Sequence, residues 1–292
     1  MDKAKVLASS LLSKYKHFIF DCDGVLWLGS QRIPHSVELL RAIEDAGKHC
    51  YFLTNTSLVS REEVRLKMND VLGYDIDADR IFTASSLAGS HVRINMSHKK
   101  KALVIGRGLL IKEIQATGIE VIDASQFDNR YEDFTYETKE DMAFEEIDLV
   151  VMGYDDRINY YKMALAFYAI QKGAELVSTN ADRATNSYGY PELKTLGNGS
   201  WVACLESASG KKAFVSGKPN PGIFKIIGDI HHIEREDCLF IGDNLETDIL
   251  FANGAGVDSL LVLTGVTEPK NMEHLLNREG AGKPTFIAND LS

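Results

Sequence analysis

Short apolar runs rich in β-branched and aromatic residues recur along the chain and alternate with stretches of helical periodicity. That rhythm constrains the fold more than any other feature. Strands separated by helices pair in parallel, and the sheet they form needs helices on its faces. His17–Phe20 reads as the first strand, and residues 34–46 as a helix opened by Pro34 and closed by Gly47. Cys50–Leu53 reads as the next strand. Ser60-Arg-Glu-Glu63 has the form of a capping box that opens a helix toward Met68. After Ile81-Phe-Thr83, a helix is expected through Ala88 to Ile94.

The rhythm then breaks at Ser97-His-Lys-Lys-Lys101, which reads as a linker, and restarts as a second unit. Leu103–Ile105, Ile119–Ile122, Ile147–Met152 and Leu176–Ser178 are its expected strands. Helices are expected between the first two, over Tyr160–Gln171 and over Gly199–Ala208. The acidic, aliphatic-poor stretch from Asp123 to Glu146 reads as an exposed loop. Gly210-Lys-Lys212 is a second linker. From Ala213 the first rhythm resumes, with strands at Cys238–Ile241 and Ser259–Leu263. The expectation is an α/β fold with a Rossmann-like parallel-sheet core in two parts, residues 1–96 and 213–292, interrupted by a large α/β domain over residues 97–212.

A length of 292 residues suits two such domains, and 45% hydrophobic with 25% charged residues gives an ordinary globular composition. A formal net charge of −10 argues against nonspecific nucleic-acid binding or attraction to anionic membranes. It also means that an anionic substrate must find its positive charge locally. No apolar run approaches the roughly 18 residues of a spanning helix, and Met1-Asp-Lys-Ala-Lys leads into no signal-peptide core. The four cysteines have neither metal-site nor redox spacing, so they read as buried thiols of a cytoplasmic protein. Cys22, wedged between two aspartates, is the one open to oxidation.

Four short stretches carry chemistry, each at the carboxyl end of an expected strand, where open parallel sheets bind ligands. They are Asp21-Cys-Asp23-Gly-Val, Thr54-Asn55-Thr56, Gly217-Lys218-Pro219 and Gly242-Asp243-Asn-Leu-Glu-Thr-Asp248. Taken singly, each has a plain structural reading as a turn, a helix cap or a solvated lysine. Asp21 and Asp23, two positions apart on an extended strand, would face the same way and repel. Together, several acids, one lysine and one hydroxyl make a site for a hard cation and a phosphoryl group. Mg²⁺ takes oxygen ligands and keeps several waters, so two or three carboxylates suffice. Asp21 and Asp243 would hold it, helped by the Asp23 backbone carbonyl, with Asp248 as a further acid. Lys218 would neutralise phosphoryl oxygens, while Thr54, Asn55 and Thr56 would grip the rest. Asp21 would attack phosphorus, and Asp23 would protonate the leaving oxygen and then activate water.

In this order the four stretches resemble motifs one to four of the haloacid dehalogenase (HAD) superfamily of phosphatases. Asp21-Cys-Asp-Gly-Val-Leu-Trp27 resembles the capped subfamily of phosphoglycolate phosphatase, pyridoxal phosphatase, 4-nitrophenylphosphatase and the bacterial NagD-like proteins. The likeness extends through Gly153-Tyr-Asp-Asp-Arg-Ile-Asn-Tyr160, Ser178-Thr-Asn-Ala-Asp182 and Gly197-Asn-Gly-Ser200. About 30 residues separate Asp21 from Thr54, whereas more than 160 separate Thr54 from Lys218, so the insertion lies between the second and third motifs. The resemblance implies that it is a cap that closes over the site, sets substrate choice and often forms a homodimer. Where relatives carry Asn-Pro-Asp, Ala181 replaces the proline, and the histidine of the pyridoxal phosphatases has no clear counterpart. Arg183, Ser187, Tyr188 and Tyr154 are the cap residues that could reach a substrate. Arg183 suits a substrate carboxylate, which favours phosphoglycolate over pyridoxal phosphate. The expected activity is Mg²⁺-dependent hydrolysis of small phosphorylated metabolites. Pyridoxal phosphate hydrolysis and a catalytically weak regulatory protein are the alternatives. A phosphomutase is disfavoured by the short first interval.

Overall fold

The computed structural model of the chain describes residues 11–130, 146–187, 190–280 and 282–292, with backbone alone at 185–187 and 190–193. It divides into two compact units, one of Met1–Thr54, Arg61–Thr83 and Lys218–Ser292, the other of Asn55–Ser60 and Ala84–Gly217.

The first unit is built on a six-stranded parallel sheet. Its spatial order is Phe286–Ala288, Asp258–Val262, Cys238–Gly242, His17–Phe20, His49–Thr54 and Ile81–Thr83. The central strands are buried along nearly their whole length, which is why they read as unbroken apolar runs rather than alternating ones. Phe20 stacks on Phe52 with centroids 5.9 Å apart, and Phe240 meets Phe251 edge-on at 5.1 Å. Each such ring contributes roughly 1.5–3 kcal/mol of burial. The helix Ser36–Asp45 turns Val37, Leu40 and Ile43 inward, the spacing of one apolar stripe.

Register matters most for the site. Phe20 pairs with Ile241 on one side and with Phe52 on the other. The carboxyl ends of three strands therefore lie level. The chain runs from His17–Phe20 to one neighbour early and returns to the other only after residue 237, so this end of the sheet is a topological switch point.

The second unit has a five-stranded parallel sheet in the order Phe214–Val215, Glu175–Ser178, Leu149–Met152, Lys101–Ile105 and Glu120–Asp123. Strand periodicity sorts its residues between two cores. Leu103, Ile105, Val150 and Met152 pack with helices Tyr160–Gln171 and Asn198–Ser209. Ala102, Val104, Leu149 and Val151 pack with helices Ala84–Asn95 and Gly108–Gln115. Lys162 is fully buried beneath the first face, and its ammonium meets Asp155 at 2.7 Å and Asp128 at 2.5 Å. That lysine ties down the 153–159 loop, whose Asn159 caps the following helix through the Lys162 N–H.

Three sequence expectations change. No strand is expected between Ser178 and the helix at Gly199, yet Ala184–Ser187 and Tyr190–Leu196 form an antiparallel hairpin. Its polar residues and Pro191 hide the strand signal, because a two-stranded ribbon need not be apolar. Cys204 is exposed, unlike the other three thiols. Its helix is wetted on that face. The third change, at Asp23, is described with the site. Residues 131–145 of the acidic stretch lie outside the described residues. Among the described residues, no helix is long and apolar enough to cross a membrane.

Candidate active site

Asp21 follows the strand His17–Phe20, and its N–H extends the ladder by donating to the Ile241 carbonyl at 2.8 Å. The side chain is buried and meets the Lys218 ammonium at 2.6 Å. Lys218 is itself buried and also pairs with Asp248 Oδ1 at 2.8 Å. Asp243 follows the strand Cys238–Gly242. Oxygens of Asp21, Asp243 and Asp248 all lie within 4.8 Å of one another.

Local backbone explains how three acids are held so close. Leu245–Ile249 forms a π-helical turn, which aims Asp248 back at the strand end. Its Oδ2 accepts the N–H groups of Asp243 and Asn244, both at 3.1 Å. Asp243 Oδ2 accepts the Val266 N–H at 2.6 Å, and the Asp243 carbonyl accepts the Thr267 N–H at 3.0 Å. Two glycines let the chain approach this carboxylate. A Cβ on Gly24 (φ +87°) would lie 2.4 Å from Asp243 Oδ2, and one on Gly265 would lie 2.0 Å from it. Thr264 Oγ1 joins the two loops by donating to the Gly24 carbonyl at 2.6 Å. Gly265→Ala is therefore expected to displace the Asp243 carboxylate. The cost should be about 1–3 kcal/mol, as for other overpacked sites, read as a lower thermal midpoint with weaker Mg²⁺ binding by calorimetry.

The electrostatics are those of a site suited to a cation. Burial pushes the Asp21 carboxyl well above the usual carboxylate range; Lys218 works against that shift, and Asp248 and Asp243 reinforce it. Asp243 is pushed up to about 7, first by burial and then by Asp248. Burial disfavours the Lys218 charge, but Asp21 and Asp248 outweigh it and raise its pKa. Three carboxylates against one ammonium leave two negative charges over, which matches a divalent cation. Lys218 takes Asp21 Oδ1 and the Val266 N–H takes Asp243 Oδ2, so Asp21 and Asp243 each have a second oxygen to offer, while Asp248 already gives Oδ1 to Lys218 and Oδ2 to two N–H groups. An all-oxygen donor set fits a hard cation such as Mg²⁺.

Asp23 does not join this cluster, and the expectation that it shares a face with Asp21 fails. The strand ends at Phe20, and the Cys22 carbonyl accepts the Leu26 N–H at 2.8 Å, so the chain curls at once. The Asp23 side chain is 65% exposed and accepts the Trp27 indole N–H at 2.9 Å. Thr54 is buried at the end of the neighbouring strand, as expected of a group beside Asp21. Asn55, Thr56, Tyr154 and Arg183 belong to the second unit. There Asn55 lies against Gly217, Tyr154 is half-buried, and Arg183 is exposed with its carbonyl bonded to the Ser200 hydroxyl. Ser187 ends a hairpin strand by its backbone, while its side chain and Tyr188 lie outside the described residues. Sequence reasoning passed over Gly265, Val266 and Lys67. An apolar strand followed by Leu263-Thr-Gly-Val-Thr267 was the one available signal for the first two.

Two family descriptions match the chain: haloacid dehalogenase-like hydrolase over residues 18–120 and HAD-hydrolase-like over residues 215–292. Phosphoglycolate phosphatase 1A of Arabidopsis thaliana is 32% identical over 294 residues, which cover 98% of this chain and 78% of that protein. Among solved structures, a p-nitrophenyl phosphatase from Archaeoglobus fulgidus superposes with a TM-score of 0.80 at 26% identity, covering 95% of this chain and 97% of that one. A glycerol phosphate phosphatase from Mycobacterium tuberculosis, solved in complex with magnesium, superposes at 0.75 with 27% identity, covering 96% and 76%.

Proposed function

The chain belongs to the haloacid dehalogenase-like hydrolases, and on that premise we propose a magnesium-dependent phosphomonoesterase for small phosphorylated metabolites, with phosphoglycolate as first candidate. The observation that carries this reading is the buried quartet of Asp21, Lys218, Asp243 and Asp248 at level strand ends. Asp21 is the nucleophile, and Lys218 orients its carboxylate while bringing positive charge to the transferred phosphoryl group. Thr54 and the amides after it hold the remaining phosphoryl oxygens. Asp23 gives a proton to the leaving oxygen and later takes one from the attacking water. Asp21, Asp243 and Asp248 would hold the metal, with the Asp23 carbonyl as a further donor. When bound, Mg²⁺ supplies the charge that offsets the phosphoryl oxygens.

Phosphoglycolate is favoured by the names of the chain's relatives and by Arg183, a cation suited to a carboxylate, in the segment we assign as the cap over residues 97–212. Side-by-side kcat/KM values for phosphoglycolate, pyridoxal phosphate, sugar phosphates and 4-nitrophenyl phosphate test the proposal. Hydrolysis should require Mg²⁺, stop with a chelator and return on Mg²⁺ addition. Arg183→Ala should raise KM for phosphoglycolate roughly tenfold, as loss of one charge-assisted contact implies. Metal-independent turnover would refute the mechanism, and an unchanged Arg183→Ala would remove the reason for preferring phosphoglycolate. Values far below the usual enzyme range of about 10⁴ M⁻¹s⁻¹ on every substrate would favour the regulatory reading.

A further inference from the structure

Asp23 stands apart from the buried quartet, yet its carboxylate is not left loose. Gly24, at φ +87°, reverses the chain after it, and the Gly24 N–H donates to the Trp27 carbonyl at 2.8 Å. That closure brings the Trp27 indole back under Asp23, with Nε1 2.9 Å from Oδ1. Trp27 is only 2% exposed, so the donor is fixed by packing and cannot follow a wandering carboxylate. A second group converges from the helix Arg61–Leu72. The Lys67 ammonium sits 4.3 Å from the centroid of the Trp27 ring and 3.8 Å from the same Asp23 Oδ1. An indole N–H and an ammonium thus meet on one oxygen of one acid. The flap hairpin that begins at Trp27 pairs only two residues with two, too few to hold this geometry alone.

We propose that Trp27 and Lys67 are positioning residues for Asp23, holding its Oδ1 so that Oδ2 carries the proton exchanged in catalysis. This rests on the phosphomonoesterase reading above. As Asp21 bonds to phosphorus and the ester P–O bond breaks, the Asp23 carboxylic acid gives its proton to the departing oxygen, releasing an alcohol. In the second half the resulting Asp23 carboxylate takes a proton from water as that water attacks phosphorus. The bond from phosphorus to Asp21 breaks, inorganic phosphate leaves, and both aspartates return to their starting forms. An alkoxide needs that proton to leave, whereas 4-nitrophenolate leaves readily without it. Loss of the indole N–H should therefore depend on the leaving group, which a packing defect would not.

Trp27→Phe keeps most of the ring and removes the donor. With phosphoglycolate, kcat should fall about 10- to 100-fold, a fraction of the roughly 10²–10⁴ that a general acid supplies, with KM within about twofold. With 4-nitrophenyl phosphate, the pre-steady-state burst of nitrophenolate should keep its rate within about threefold, followed by slow turnover as water attack is impaired. Lys67→Met should show the same pattern with a smaller loss, and it serves alone should Trp27→Phe not fold. In an Asp23→Asn background, Trp27→Phe should add no further loss. A nitrophenolate burst rate that falls as far as kcat does with phosphoglycolate, or a full multiplicative loss in the Asp23→Asn background, would make Trp27 a packing residue and overturn the proposal. Wild-type protein that forms no phosphoryl-enzyme at Asp21 would instead sink the phosphatase mechanism itself.

Discussion

Asp21→Asn should abolish turnover and yet raise the thermal midpoint of the metal-free protein. The loss of rate should reach roughly 10⁴-fold or more, the scale seen when a covalent nucleophile is removed. The gain in stability follows from the same carboxylate. Burial and two neighbouring acids hold the Asp21 pKa well above its ordinary value despite Lys218. The folded chain therefore binds this proton more tightly than the unfolded chain does. Stability falls as pH rises from the ordinary carboxylate pKa toward the raised one, so ionised Asp21 is a burden at neutral pH. Asparagine keeps the shape and removes the charge. The midpoint should rise by a few degrees in chelator, and the order should reverse in excess Mg²⁺. Ligand at about 100 times its Kd stabilises by ~2.7 kcal/mol, and the wild type has the fuller set of ligands. Near-normal turnover by the variant would refute the nucleophile assignment.

Lys218→Met should also lose activity but be unstable, which separates the two sides of one ion pair. Among the described residues, Lys218 is the ammonium that pairs with Asp21 and Asp248 at the cluster. Removing one partner of a buried pair costs about 3–5 kcal/mol, because the other charge stays buried without compensation. Activity should fall roughly 10²–10³-fold or further, since the transferred group also loses its cation. Differential scanning at several pH values gives the sharper test. Below neutrality Asp243, already pushed up to about 7, takes up a proton, and Asp21 follows in the same direction. The destabilisation should therefore shrink as pH falls from 8 to 5. A variant as stable as the wild type at pH 8 in chelator would show that Lys218 does not balance these acids.

Much of this arrangement was legible in the sequence because it rests on short-range patterns. His17–Phe20 and Tyr160–Gln171 match their expected bounds, since an unbroken apolar run and a long helical period each leave little choice. Asp21, Lys218, Asp243 and Asp248 could be grouped because each lies just past a strand or a linker, and parallel sheets bring such points to one edge. The orientation of Asp23 could not be read that way. It depends on the chain leaving extended geometry at Cys22, a choice fixed by Gly24 packing against Asp243 more than two hundred residues away. Lys67 was invisible for a related reason: in the sequence of the helix Arg61–Leu72 it is one more cation, and only the folded chain brings it to Trp27 and Asp23. The hairpin at Ala184–Ser187 and Tyr190–Leu196 has no clean apolar alternation in its sequence to announce it.

The strand His17–Phe20 sits in the middle of its sheet, but its two neighbours reach it at very different times. During synthesis, His49–Thr54 follows within some tens of residues, whereas Cys238–Gly242 emerges only when most of the chain has been made. At about 5–20 residues per second the ribosome spends on the order of 10 s or more with that inner edge unpaired. Throughout that interval Asp21 has neither Lys218 nor Asp243 beside it. A chain cut short anywhere before residue 218 carries Asp21 but neither Lys218 nor Asp243, and it displays a bare apolar edge that quality-control proteases and chaperones can recognise. The quartet can assemble only once Cys238–Gly242 and Asp248 have been made, and copies that stop short of them announce themselves.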